Sequence, residues 1–141
     1  MFFGSVVAAS YTSWSNTQIK VLVPMGAAGL TPVTVVNPVG LSNAMNFSVQ
    51  PRITNLTPAS GPSGTTVTIN GNGFGVMALR GHVHIAWSPG GGTTNLGSGV
   101  VTSWANTTVK VRIVVPAGKT RGSITIVTAG GTSNAVTFTK K

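Results

Sequence analysis

A stretch near the start of this chain returns near its end. Ser13-Trp14-Ser15-Asn16-Thr17-Gln18-Ile19-Lys20-Val21 reappears as Ser103-Trp104-Ala105-Asn106-Thr107-Thr108-Val109-Lys110-Val111, at a constant offset of 90 positions. Val23-Pro24 answers Val115-Pro116 at an offset of 92. Ser42-Asn43-Ala44-Met45-Asn46-Phe47-Ser48 answers Ser133-Asn134-Ala135-Val136-Thr137-Phe138-Thr139 at an offset of 91. The drift of one or two places means that only turns change length between the copies. A period of this size sets the building unit before any local motif is weighed. The unit is a small domain, used more than once.

The residues of that unit are strand formers separated by turn formers. Thr65-Thr66-Val67-Thr68-Ile69-Asn70 alternates with period two, which sends Val67 and Ile69 to a core, and His82-Val83-His84-Ile85-Ala86-Trp87 alternates again. Seven short strands are expected in the second copy, over 52–56, 65–70, 82–87, 100–104, 109–115, 123–128 and 135–139. Gly71-Asn72-Gly73-Phe74-Gly75 reads as a turn with one buried aromatic, and Ser88 to Gly99 as a long loop. Strands this short at regular spacing argue a β-sandwich. Met1 to Ser10 is apolar and ends in small residues, but it lacks a basic leader, so it reads as a strand rather than a signal peptide. No run is long enough for a membrane span. With no cysteine, neither disulfides nor thiolate metal sites contribute, and stability rests on the sheet core.

The opening of the second copy carries a family likeness. Pro51-Arg52-Ile53-Thr54-Asn55-Leu56-Thr57-Pro58, Ser60-Gly61-Pro62, Gly64-Thr65, Val67-Thr68-Ile69 and Gly71-Asn72-Gly73-Phe74-Gly75 together resemble the start of an IPT/TIG domain. The Ser-Trp-x-Asn-Thr element, the Val-Pro turn and the closing Ser-Asn-Ala-Val-Thr-Phe strand resemble that family too. The likeness implies the immunoglobulin-like fold shared by plexins, some transcription factors and many bacterial surface proteins. The family usually carries Asp where Asn16 and Asn106 stand. The expected architecture is therefore all-β: tandem immunoglobulin-like sandwiches, a partial one in residues 1–50 and a complete one in residues 51–141. The first copy lacks the two opening strands, which leaves unpaired edges able to template another strand; either the chain is a piece of a longer protein, or a neighbouring subunit supplies the missing strands by β-strand addition. Phe2, Phe3, Val6 and Val7 are the candidate complementation edge.

Composition removes much chemistry. The chain has nine Lys and Arg, no Asp or Glu, and a formal charge of +9. Without carboxylates there is no general acid/base pair, no acid-oriented histidine and no calcium cage. No catalytic, cofactor or metal residues are expected, and the chain is not expected to be an enzyme. His82 and His84 leave the same strand face and would supply two metal ligands, but no third ligand stands nearby. The glycine cluster at 71–75 lacks the helix of a dinucleotide site, and Gly90-Gly91-Gly92 lacks the Lys-Ser/Thr of a nucleotide loop. Trp14 and Trp104 are equivalent and read as framework packing. Trp87 has no counterpart and adjoins the long loop, so Trp87, Gly90, Gly91 and Gly92 are the candidate ligand contacts.

Lys20, Arg52, Arg80, Lys110, Arg112, Lys119 and Arg121 are scattered, whereas a DNA footprint wants clustered basic residues and a reading element. Asn46-Phe47-Ser48, Asn55-Leu56-Thr57 and Asn106-Thr107-Thr108 match the N-glycan acceptor pattern, a common accident in a Thr-rich chain. The leading expectation is a structural or adhesive repeat of an extracellular filament or bacterial cell-surface protein. It would work through β-edge and domain–domain contacts, with copies of itself or adjacent repeats as partners. A carbohydrate-binding accessory module is the alternative, and a nucleic-acid-binding module the third.

Overall fold

The computed structural model describes residues 1–77, 81–97 and 100–141, and every regular element in them is a β-strand. No helix is long and apolar enough to cross a membrane among the described residues. The first copy contains β1 (Phe2–Phe3), β2 (Val6–Val7), β3 (Tyr11–Trp14), β4 (Ile19–Val21), β5 (Gly29–Thr34), β6 (Val36–Asn37), β7 (Gly40–Leu41) and β8 (Met45–Val49). The second opens with β9 (Arg52–Thr57), β10 (Ser60–Gly61), β11 (Thr65–Asn72), β12 (His82–Ser88) and β13 (Thr93–Leu96). It closes with β14 (Val101–Trp104), β15 (Thr108–Ile113), β16 (Arg121–Thr128), β17 (Gly131–Thr132) and β18 (Val136–Lys140).

The second copy is a two-sheet sandwich. One sheet runs β14-β15-β11-β9, and the other runs β10-β18-β16-β12-β13 with β17 attached to β16. Pairing is antiparallel except for β10 on β18. Alternation puts one face of each strand inward: Val67 and Ile69 from β11, Val109 and Val111 from β15, and Ile124 and Ile126 from β16 are fully buried. Each such side chain contributes roughly 1.5–3 kcal/mol by leaving water, and β-branched residues suit the pleat. Ser133 fastens the edge of β16, accepting from the Ile126 amide at 2.9 Å. Beside it, Asn134 holds β9 by both backbone groups of one residue, accepting from Ile53 N at 2.9 Å and donating to Ile53 O at 3.0 Å.

The first copy repeats this frame with one part missing. Its sheet order β2-β1-β5-β8 matches β13-β12-β16-β18, and the β3–β4 pair matches β14–β15. The register agrees in detail. Val36 pairs with Leu41 as Val127 pairs with Thr132, and the Val35 amide donates to Ser42 Oγ as Ile126 does to Ser133. Among the described residues of the first copy, nothing corresponds to β9, β10 and β11. Phe138 is fully buried, whereas its equivalent Phe47 is 43% exposed; Val115 is 6% exposed and its equivalent Val23 is 42%. The buried apolar residues left to the first copy are Phe3, Ala8 and Ala27. The two copies thus differ in packing as well as in strand count.

Four local expectations are corrected. Met1 to Ser10 holds a hairpin, β1–β2, rather than one strand, because Gly4 takes φ +60° in the turn between Phe3 and Val6. Phe2 and Phe3 consequently have partners on both sides, β2 and β5, and form no edge. The loop expected from Ser88 to Gly99 contains β13, which pairs Thr93 through Leu96 with β12; Ser98 and Gly99 lie outside the described residues. Gly71 and Asn72 belong to β11 after a bulge rather than to a turn. A Cβ at Gly71 would fall on the Arg52 carbonyl oxygen, so the bulge requires glycine there. Phe74 is buried as expected.

The contrast between the equivalent phenylalanines gives a direct test. Phe138→Ala should cost about 3–5 kcal/mol in urea unfolding of the second copy, the range for emptying a packed aromatic site. Phe47→Ala should cost the first copy about 1 kcal/mol or less, since its ring is only partly removed from water.

Candidate interaction surface

Two adjoining regions stand out: the junction between the copies and the open interior of the first. The junction has almost no linker, because β8 ends at Val49 and β9 begins at Arg52. It is built around the turn between β14 and β15, the place where the repeated Ser-Trp-x-Asn-Thr element sits. Ala105 N donates to Thr108 O at 2.8 Å to close that turn, which puts Asn106 at its tip. Asn106 Oδ1 accepts from Gly75 N at 2.9 Å within the second copy, and Asn106 Nδ2 donates to Met25 O at 2.8 Å in the first. An Asp at this position keeps the first bond and loses the second, because a carboxylate has no donor.

A second link lies beside it. Ser48 Oγ donates to Gly130 O at 2.9 Å, and a Cβ at Gly130 would land on the Val49 carbonyl oxygen. The two backbones therefore meet at a position that only glycine fits. A cleft of about 200 Å³ remains between the copies, lined by Ala28, Gly29, Leu30, Phe74, Gly75 and others. Trp104 completes this end, its Nε1 donating to Phe74 O at 3.2 Å while its ring packs on the core. Trp14, its equivalent, has no such segment to cover it. It is 51% exposed and meets Tyr11 edge-on, with ring centroids 5.3 Å apart.

The interior face of the first copy forms a groove of about 380 Å³, lined by Met1, Phe3, Val21, Val23, Val33, Met45, Asn46 and Phe47. Of the candidate complementation residues, Phe3 lines this groove from below, while Val6 and Val7 occupy an outer strand. That strand matches β13, which is itself an edge in the complete copy. The β2 edge is therefore ordinary for this fold. The edges left by the missing strands are β4, paired only with β3, and β8, paired only with β5. In the complete copy their counterparts carry β11 and β10.

The other candidates fall elsewhere. Trp87 is 4% exposed, with its ring in the core and its Nε1 donating to Thr94 Oγ1 at 2.8 Å. Burial leaves it no face for a ligand, which corrects its assignment as a contact. Its backbone amide does meet Gly92 O, but Gly90, Gly91 and Gly92 form an exposed hairpin turn without it. His82 and His84 share the outer face of β12, and His84 Nδ1 lies 2.6 Å from Asn95 Oδ1. Among the described residues no group of three or more His, Cys, Asp or Glu is placed to hold a metal. The basic residues stay dispersed, with Lys119 Nζ donating to Pro89 O and Arg112 Nε to Gly64 O; Arg80 lies outside the described residues. Sequence reasoning missed the junction role of Asn106, although the repeat had singled the residue out.

The fold defines a class, that of immunoglobulin-like β-sandwich modules. The IPT/TIG domain family matches residues 51–140, and the chain belongs to that family. It is also 36% identical over 86 residues to the cyclomaltodextrin glucanotransferase of Paenibacillus macerans. That similarity takes in 60% of this chain and 11% of the enzyme, so the chain spans about a tenth of that relative's length.

Gly130→Ala should open the junction. Hydrogen exchange should quicken at Val49 and nearby amides, while the amides of β11 and β15 stay protected. Asn106→Asp should loosen the same junction by about 1 kcal/mol, the worth of one hydrogen bond, with less effect on the second copy's own melting than Asn106→Ala.

Proposed function

We propose that this chain is a structural module of an extracellular filament or bacterial surface protein, non-enzymatic, working through domain–domain contacts and β-edge pairing. The observation that carries the reading is the junction. A linker of Gln50-Pro51, a glycine that admits the neighbouring backbone and an Asn shared between copies together suit a stiff tandem array. Repeat arrays draw their stability from such nearest-neighbour interfaces. Asn16 occupies the equivalent turn tip in the first copy, closed by Ser15 N donating to Gln18 O. The same kind of contact is thereby available to a preceding unit. Scattered cations on exposed strands also fit a surface protein that must avoid unplanned edge pairing.

Nuclear relaxation measurements test this. The two copies should share one rotational correlation time, and inserting Gly-Gly-Ser-Gly between Gln50 and Pro51 should split it into two. Independent tumbling in the unmodified chain would remove the basis of the reading.

The glucanotransferase relative supports a second reading, a carbohydrate-binding accessory module. With Trp87 buried, its contact surface would be the exposed Tyr11–Trp14 pair, since sugar rings stack on open aromatic faces. Titration with maltoheptaose should then shift Trp14 fluorescence, and Trp14→Ala should abolish binding. No heat and no shift at millimolar sugar would dismiss it.

A further inference from the structure

We infer that the tip of one short hairpin decides which module can take the seat that the second copy occupies on the first, and that Val39 bars the first copy from such a seat. The inference rests on the structural reading above and names the residue by which the domain–domain contact selects its partner. The two hairpins concerned are the same structure. β16–β17 pairs Val127 with Thr132 and Thr128 with Gly131, and β6–β7 pairs Val36 with Leu41 and Asn37 with Gly40. Each leaves two residues in the turn, so Val39 stands where Gly130 does. The tip amide is held alike in both. Gly130 N donates to Thr128 Oγ1 at 3.1 Å, and Val39 N to Asn37 Oδ1 at 2.9 Å.

What differs is the side chain at the tip. Gly130 is buried at the junction, where its carbonyl accepts from Ser48 Oγ. A Cβ there would fall on the Val49 carbonyl oxygen and stand 3.0 Å from Gly29 Cα. Both are backbone atoms, which cannot swing aside as the end of a long side chain does. Valine brings that Cβ and two methyl groups beyond it. The turn itself does not ask for glycine: Gly130 lies outside the left-handed region, and the first copy builds the same turn with valine. Glycine is there for the approach of the neighbouring backbone. Val39, by contrast, is 95% exposed and stands clear of its own copy.

The other contacts at this end do not discriminate. Asn16 and Asn106 each sit at the tip of a turn closed by a 2.8 Å amide-to-carbonyl bond, Ser15 to Gln18 and Ala105 to Thr108. The linking amide is therefore common to both copies. Neither hairpin carries an ionisable side chain, and neither do Gly29, Ser48 and Val49 opposite, so charge is not the selector. A hydrogen bond holds only within a few tenths of an ångström of its ideal length. A hairpin forced back from the Val49 carbonyl therefore loses the Ser48 bond as well. Specificity built this way rests on a clash against the wrong partner rather than on a gain for the right one. The seat of Gly29, Ser48 and Val49 admits a module with glycine at this tip and refuses one with valine, which gives the tandem pair a set order.

The test gives the second copy the first copy's hairpin within the intact chain and reads the rotational correlation times of the two copies. Thr128→Asn, Ala129→Pro, Gly130→Val and Thr132→Leu together convert 127–132 to the sequence of 36–41. That variant should show two correlation times and faster exchange at the Val49 amide. The same variant with Gly130 kept should return to one correlation time and native exchange. Protected amides in β11 and β15 report that the second copy stays folded, and Gly130→Val alone repeats the test with the hairpin otherwise native. One correlation time with valine at the tip would mean that the seat accepts it, and would overturn the proposal. Two correlation times with Gly130 kept would put the selection at one of the other three substitutions, with the same consequence. Either result against a rigid parent chain leaves the structural reading standing, whereas independent tumbling of the unmodified chain would overturn both.

Discussion

Val67 and Ile69 on β11 lie directly opposite Val111 and Val109 on β15, and all four side chains are sealed from water. That pairing is the constraint on which the rest of the domain depends. β11 sits between β15 and β9, so it ties the outer strands into one sheet and supplies that sheet's share of the core. Where it is present, Phe138, Ile124 and Ile126 close against it in a cluster that also takes in Phe74 and Trp87. Where its counterpart is absent, the same β5 and β8 framework forms with correct register, yet its aromatic side chain stays half in water. Backbone pairing sets the layout of the sheets. Burial of the shared face sets whether the layout is a core.

The junction obeys a different rule. Its contacts are polar and steric: one shared amide, one serine hydroxyl and one position without a Cβ. Each bond is worth about 1 kcal/mol, too little to hold free domains together but enough to orient two that are already covalently adjacent. Effective concentration makes weak contacts count when a linker is this short. The repeated Asn then has two duties. Within a copy it satisfies the Gly75 amide, and across the boundary it reaches Met25.

Much of this was legible in the residues. The repeat marked the building unit, and period-two alternation marked Val67 and Ile69 as inward. The failures share a cause. Thr93-Thr94-Asn95-Leu96 has little apolar content, so as an edge strand with one wet face it looked like loop. Trp87 lacks a repeat counterpart and adjoins the glycine loop, which makes it a contact candidate in the sequence, yet the alternation of β12 turns it inward with Val83 and Ile85. The complementation edge was placed on Phe2, Phe3, Val6 and Val7 because they are apolar and near the start. Which edges are vacant is a property of sheet order, and sheet order joins strands far apart in sequence.

The parallel pairing of β10 with β18 has a mechanical meaning. The chain enters the second copy at Pro51 and leaves it after β18, and these two strands link the entry side to the exit side. Thr139 N donates to Ala59 O and Lys141 N to Gly61 O, both at 3.0 Å. A pull between Pro51 and Lys141 slides the two strands along each other, so both bonds are strained at the same moment rather than unzipped in turn. Resistance to such a pull is a matter of unfolding rate more than of equilibrium stability. In the first copy β8 pairs with β5 alone, so no such shear-loaded pair stands among its described strands.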